Sequence, residues 1–289
     1  MKIIDSIIPG KQFISLEFFP PKERQDWPSF FQTVEQLKQL NPLFASVTYG
    51  AGGSTHSSTL EIVTRLQRDY GLEAMAHLTC IGADETEVLK FMHELDKVGV
   101  SNVLALRGDP PQDIDAGSVT GSSLKHATDL VAFLRGHHPE LGLAVAGYPE
   151  THPEAVDAKS DLGFFKAKFE NGGDFAITQL FFDNQHYFDF VSRAREVGVT
   201  KPIIPGILPV VNLKVIKRIM SLCGASLPVE YQAQLEDADR RGGAAEVQKL
   251  GVEYARKQAE GLLAGGAPGV HLYTLNRVDA VSQIAEGLL

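Results

Sequence analysis

The chain has 289 residues, 44% of them hydrophobic, with 27 Lys and Arg against 36 Asp and Glu and a formal charge of −9. That length can bury a large core as two small domains or one barrel, while the acidic balance argues against nucleic acid and anionic membrane surfaces as partners, so an anionic ligand must meet a local basic site. Cys80 and Cys223 are too few for a disulfide framework or a cysteine-rich zinc site, and with no signal-length apolar run at the start and no spanning run later, a cytoplasmic protein with ordinary thiols and no metal is expected.

Short apolar runs alternate with longer amphipathic ones along the chain. The first strand, expected over 13–19, carries Glu17 in EFFPP and precedes a helix over 28–40. A second strand over 43–49 ends at Thr48 and Tyr49 in VTYGAGG, where Gly50, Gly52 and Gly53 around Ala51 would let a ligand approach the backbone; a helix over 58–70 follows. Strand 73–79 carries His77 in AHLTC, and in the helix over 85–99 Val88, Met92, Leu95 and Val98 share one face behind a capping-box pair, Asp84 and Glu87. Strand 102–107 holds the continuous apolar run VLAL, the mark of a parallel strand covered on both faces, and leads to Arg107, Gly108 and Asp109 in LRGDPP before a helix over 123–137.

Strand 142–147 opens into Tyr148 and His152 in GYPETHPEA, followed by a helix over 155–171. Strand 174–180 carries Gln179 in ITQLFFD, with Phe181 and Phe182 read as core, before a helix over 184–198. Strand 203–208, ending IPGILPV, offers no polar group and precedes a helix over 212–223. Between Pro228 and Gly242-Gly243 the stretch 226–243 reads as an extra helix, ahead of a long one over 244–264. The last strand, 269–274, leads to Asn276 and Arg277 in YTLNR and a helix over 277–288.

Eight strand–helix units predict a (β/α)8 barrel forming a single domain over 1–289, with an open doubly wound sheet as the alternative. In a barrel the reacting groups come from the C-terminal strand ends, where an acid, a base, a cation and amides would converge. Glu17 between Leu16 and Phe18 is costly unless paired or protonated, which favours a functional role. His77 taken alone reads as a packed histidine, and Arg107 could simply pair with Asp109 across Gly108. The G-x-G-x-x-G, P-loop, H-E-x-x-H and paired C-x-x-C signatures are absent, so a nucleotide cofactor would have to bind at the barrel mouth.

The ordered set EFFPP, SVTYGAGG, AHLTC, LALRGDPP, GYPETHPEA, ITQLFFD, IPGILPV and LYTLNR resembles the methylenetetrahydrofolate reductase family, from about Phe13 to the C-terminus. The resemblance implies non-covalent FAD on a (β/α)8 barrel, with NADH or NADPH and methylenetetrahydrofolate as substrates used in turn, a role in supplying methyl groups for methionine synthesis, and a homo-oligomeric assembly. It also implies the short bacterial form, without the regulatory domain of eukaryotic members. By motif, Glu17 is similar to the family's general acid and Asp109 to the carboxylate beside pterin and flavin. Thr48, Tyr49, Ala51, His77, Arg107, Gly108, Asp109, Tyr148, His152, Ala155, Asp161 and Lys168 fall at flavin-contacting positions, and Gln179 and Arg277, with Asp109, at folate-contacting ones. Val215 and Ile219 stand where some bacterial members carry a glutamine and a phenylalanine, and Ala167 where the family tends to be basic. A proline dehydrogenase-like flavoenzyme and a flavin- or folate-binding module are the rival readings.

Overall fold

The computed structural model describes residues 1–49, 56–108 and 123–289; Ala51, Asp109 and the glycines at 50, 52 and 53 lie outside them. Nine parallel strands are found among the described residues: β1 (Ile14–Phe18), β2 (Ala45–Val47), β3 (Ala74–Thr79), β4 (Asn102–Leu106), β5 (Gly142–Gly147), β6 (Phe175–Thr178), β7 (Ile203–Ile204), β8 (Gly206–Ile207) and β9 (Val270–Tyr273). Their order is β7-β6-β5-β4-β3-β2-β1-β9-β8. The edges β7 and β8 are two halves of the expected seventh strand, split at Pro205, whose ring nitrogen has no hydrogen to give the ladder. Ile203 and Ile204 pair with β6, whereas Gly206 and Ile207 pair with β9. One continuous segment therefore joins both edges, and the sheet closes as a (β/α)8 barrel rather than lying open.

The helices are α1 (Trp27–Lys38), α2 (His56–Arg68), α3 (Glu85–Lys97), α4 (Ala127–His137), α5 (Ala158–Glu170), α6 (Asn184–Glu196), α7 (Leu213–Cys223), α8 (Val229–Ala264) and α9 (Val278–Ala285). In α3 the expected capping box forms in both directions between Asp84 and Glu87, and Val88, Met92 and Leu95 are buried. Within α8 the backbone is non-helical at Gly242 (φ −153, ψ 16) and at Gly243 (φ 60, ψ −147, a conformation open to glycine alone), so the run is two helices meeting at a kink where the sequence places their boundary. No helix among the described residues is long and apolar enough to cross a membrane.

The two-residue period of the strands divides the core. Leu16 and Phe18 of β1 point outward into the layer beneath the helices, where Phe18 meets Phe30 of α1 edge-on at 5.8 Å. Their alternates Ser15 and Glu17 belong to the barrel interior. Lower in that interior Phe13, Phe44, Met75, Leu104 and Phe175 pack together with Ile3 from a short 3-10 turn, Ile3–Ser6, that the sequence pattern does not reveal. Each such side chain contributes about 1.5–3 kcal/mol by burial. Ile3 N also donates to the buried Asn102 Oδ1 at 2.8 Å, which ties this plug to β4. The floor is thus closed by apolar packing, and the polar residues gather at the opposite, C-terminal end.

Candidate active site

A cavity of about 480 Å³ opens at that end. Its lining includes Glu17, Thr48, His77, Arg107, Gly108, Tyr148, His152, Lys168 and Gln179, which come from six different strands or the segments beside them. Tyr49, Ala155, Asp161 and Arg277 are not among its described lining residues, although the first three stand beside residues that are. Tyr49 packs edge-on against Phe91 at 6.2 Å. Asp161 Oδ2 accepts from His152 N at 3.0 Å, and Ala155 N donates to His152 O at 2.9 Å, so both shape the His152 turn. Arg277 is exposed at the start of α9.

On one side the cavity meets a buried acid. Glu17 is 5% exposed, and its Oε2 lies 3.4 Å from His77 Nε2 and 3.6 Å from His271 Nε2. Burial pushes the Glu17 carboxyl up to about 7, with His77 opposing part of the shift. The same burial pulls His77 down to about 4 and His271 to about 3, so near neutral pH both imidazoles are uncharged and Glu17 is substantially protonated. The contact is therefore one between neutral groups rather than an ion pair. The desolvation does not come from Leu16 and Phe18, as the local sequence suggests, because the pleat turns those two away from the barrel interior. It comes from the closed interior itself. His77 Nε2 is buried and has no hydrogen-bond partner among the described residues, an uncommon state for a buried ring nitrogen and one that a ligand atom can relieve.

The opposite side is cationic. Arg107 forms a two-pronged pair with Glu154, with Nη2 2.8 Å from Oε1. Glu154, held low by that pairing, was not singled out from sequence; the expected partner, Asp109, lies outside the described residues. Partly buried Lys168 donates from Nζ to Ala146 O at 2.8 Å, and loss of water pulls it to about 8, which still leaves it mostly protonated at neutral pH. Between these cations Tyr148 and His152 meet edge-on at 4.5 Å. Gly108, at φ 87, has no room for a side chain: a Cβ would lie 2.7 Å from Ile81 Cγ2 and 2.9 Å from Thr79 Cβ.

The remaining wall is apolar and comes from α7 and the β6, β8 and β9 ends, with Leu180, Leu208, Ile219, Leu222 and Leu275 in the lining. Of the two α7 positions considered from sequence, Ile219 faces the cavity whereas Val215 is exposed and does not line it. Cys223 lines it too, and both cysteines are unpaired, with burial raising each thiol, Cys80 to about 11. Sequence reasoning missed His271, Glu154 and Leu222. His271 could have been found by counting back two residues from Tyr273 along the strand, a step that keeps the same face. Its Nδ1 lies 2.8 Å from Ser15 Oγ.

The methylenetetrahydrofolate reductase family model matches residues 2–288. Methylenetetrahydrofolate reductase (NADH) 1 of Arabidopsis thaliana is 36% identical over 303 residues, a match covering 100% of this chain and 50% of the plant protein. A probable methylenetetrahydrofolate reductase (NADPH) of Caenorhabditis elegans is 34% identical, with 99% of this chain and 43% of the relative covered. The chain thus spans about half the length of these relatives. The 5,10-methylenetetrahydrofolate reductase of Escherichia coli (strain K12) is 36% identical over 273 residues, covering 94% of this chain and 89% of its own. Among solved structures, an uncharacterized protein from Clostridium thermocellum that binds two copies of 5-methyl-5,6,7,8-tetrahydrofolic acid superposes with a TM-score of 0.65 at 15% identity, covering 98% of this chain and 95% of that one. At that identity the likeness speaks to the fold alone.

Proposed function

The chain belongs to the methylenetetrahydrofolate reductase family, and on that premise we propose that it is a cytoplasmic, FAD-dependent NAD(P)H oxidoreductase that reduces 5,10-methylenetetrahydrofolate to 5-methyltetrahydrofolate for methionine synthesis. The observation that carries this reading is a buried carboxyl, Glu17, pushed up to about 7 by its burial and facing a cavity whose other wall is cationic.

FAD suits the donor set. Arg107 and Lys168 can meet a diphosphate with charge-assisted hydrogen bonds, Gly108 lets the ligand approach the backbone, and His77 Nε2 offers a buried polar atom with no partner among the described residues. Thr48, Tyr49, Ala51, Tyr148, His152, Ala155 and Asp161 complete the proposed cradle. When bound, the flavin would take a hydride from NADH or NADPH and pass it to the folate, with both substrates using one face in turn.

Methylenetetrahydrofolate carries a closed five-membered ring that must open to an iminium before it can accept a hydride, and opening requires a proton on the departing nitrogen. Glu17 supplies that proton from its carboxyl, and its raised value near 7 matches the pH at which the proton is needed. Asp109, assigned from its motif, would stabilise the iminium charge. Gln179, in the cavity lining, and Arg277 are the proposed folate contacts. A binding module would have no use for a protonated acid at this position, and a proline dehydrogenase-like enzyme would oxidise its substrate instead.

One experiment tests the reading. Purified protein should release FAD on denaturation. Loaded with FAD and kept anaerobic, it should bleach with NADH or NADPH and recover its colour with methylenetetrahydrofolate. Protein that neither carries nor takes up FAD, or whose colour the folate does not restore, would refute it.

A further inference from the structure

The end of β1 is held by a clamp from the loop that follows β9. The last ladder pair joins Glu17 to Tyr273. Beyond it Thr274 donates twice to Glu17 O, from Oγ1 at 2.6 Å and from N at 3.3 Å, and Asn276 N in turn donates to Thr274 Oγ1 at 3.0 Å. The Asn276 side chain then treats Phe19 as a strand neighbour would: Nδ2 donates to Phe19 O at 2.8 Å, and Oδ1 accepts from Phe19 N at 3.1 Å. Two residues of β1 and its extension thus have their backbone groups fixed by two side chains from the opposite end of the chain.

The loop adopts an unfavourable backbone to achieve this. Leu275 and Asn276 are consecutive non-glycine residues in the left-handed region, at φ 45 and φ 56. Asparagine enters that region more readily than most residues, but leucine does not. Such strain persists where the surroundings over-determine it, and it concentrates at functional sites. Here it has two products: it turns Leu275 into the cavity lining and swings the Asn276 amide onto Phe19. Phe19 and Glu17 both line the cavity, whereas Thr274 and Asn276 do not.

We infer that Asn276 and Thr274 are positioning residues for the proton donor, holding Glu17 and Phe19 in register from the backbone side without touching substrate. This rests on the reading of Glu17 as the acid. Because the direction of the Glu17 side chain follows its backbone, release of residues 17–19 misaims the carboxyl while leaving the cationic wall intact. A misplacement of about 1 Å can cost roughly 100-fold in a step that depends on orientation.

The test uses FAD-loaded protein with Asn276→Gly, which keeps the left-handed turn at no steric cost but removes the clamp, and Thr274→Val, which keeps the shape but removes the hydroxyl. In anaerobic single turnover, flavin retention and reduction by NADH should match wild type. Reoxidation by methylenetetrahydrofolate should slow by roughly 10- to 100-fold in Asn276→Gly and less in Thr274→Val, with Thr274→Ser restoring it. The pH limb of that step should also move lower, because a loosened Glu17 meets water while the groups facing it, His77, His271 and Tyr273, are unchanged. A wild-type rate and pH limb for the folate step, or equal losses in both steps, would overturn the positioning role. If Asn276→Gly does not fold, Thr274→Val with its serine rescue decides by the same criteria. Wild-type protein that reduces no methylenetetrahydrofolate would overturn the reading of Glu17, and this role with it.

Discussion

The two polar walls of the cavity share one barrel mouth and differ in their access to water. On the acid side Glu17 and His77 in the wall and His271 behind them are all buried, and burial drives each toward its uncharged form. On the cationic wall Arg107 is part-exposed and balanced by Glu154, and Lys168 keeps most of its charge with its Nζ bound to a carbonyl. Where charge is costly, a carboxyl becomes a usable proton donor at neutral pH; where it is tolerated, cations remain available for an anionic ligand. Solvation thus sorts the residues into proton transfer and anion binding within a single site.

The strongest way to break that division is Glu17→Gln. It should slow reoxidation by methylenetetrahydrofolate about 10²–10⁴-fold and leave reduction by NADH near wild type, because only ring opening needs an acid. Anaerobic single-turnover absorbance measures both steps, and equal slowing would show that the walls do not divide the work. The next effect is on stability. The folded-state value of Glu17 is raised from 4.5 to about 7, so the native state holds this proton more tightly than the unfolded chain. The resulting stabilisation is fully present below about 4.5 and is lost as pH rises through about 7, an effect on the order of 3 kcal/mol. His77, lowered from 6.5 to about 4, has the opposite sign: its contribution is present above about 6.5 and is lost as pH falls through about 4. Denaturant titrations of wild type and Glu17→Gln should show wild type losing stability relative to the variant across the interval from about 4.5 to about 7. A constant difference would mean that the acid wall is wet.

Arg107→Ala sharpens the comparison from the other side. It should weaken FAD binding about 10- to 100-fold, the worth of one hydrogen bond to a charged group, and the loss should shrink at high salt. Fluorescence titration of apoprotein with FAD measures this, and an unchanged affinity would remove Arg107 from the proposed cradle. Glu154→Gln should have the smallest effect, tightening FAD by no more than about 5-fold, since a part-exposed ion pair that competes with the ligand is worth at most about 1 kcal/mol. Weaker binding would show instead that Glu154 aims Arg107 at the ligand.

The strands were legible because parallel strands covered on both faces are continuous apolar runs, and VLAL at 103–106 is buried in β4 up to its last residue. Gly242-Gly243 was visible as the boundary between two helices, whereas Pro205 was read inside one strand over 203–208. That Pro205 splits this strand depends on partners remote in sequence, β6 on one side and β9 on the other. Glu17 stood out for its chemistry, yet the cause of its raised value was misread, because neighbours in sequence lie on opposite faces of a strand. His271 lay outside every motif, and Glu154 lay inside GYPETHPEA without standing out from it. Their roles follow from distances between separate βα units, which spacing along the chain does not encode. The Thr274–Asn276 clamp likewise joins residues 257 positions apart.

If the closed barrel interior keeps Glu17 protonated near neutral pH, infrared difference spectroscopy will see the proton itself. The carbonyl stretch of a protonated carboxyl, assigned by its loss in Glu17→Gln, should titrate away with a midpoint of about 7 in the wild-type protein. A midpoint near the ordinary value of 4.5 would contradict the account, because Glu17 would then be a carboxylate when the folate needs its proton.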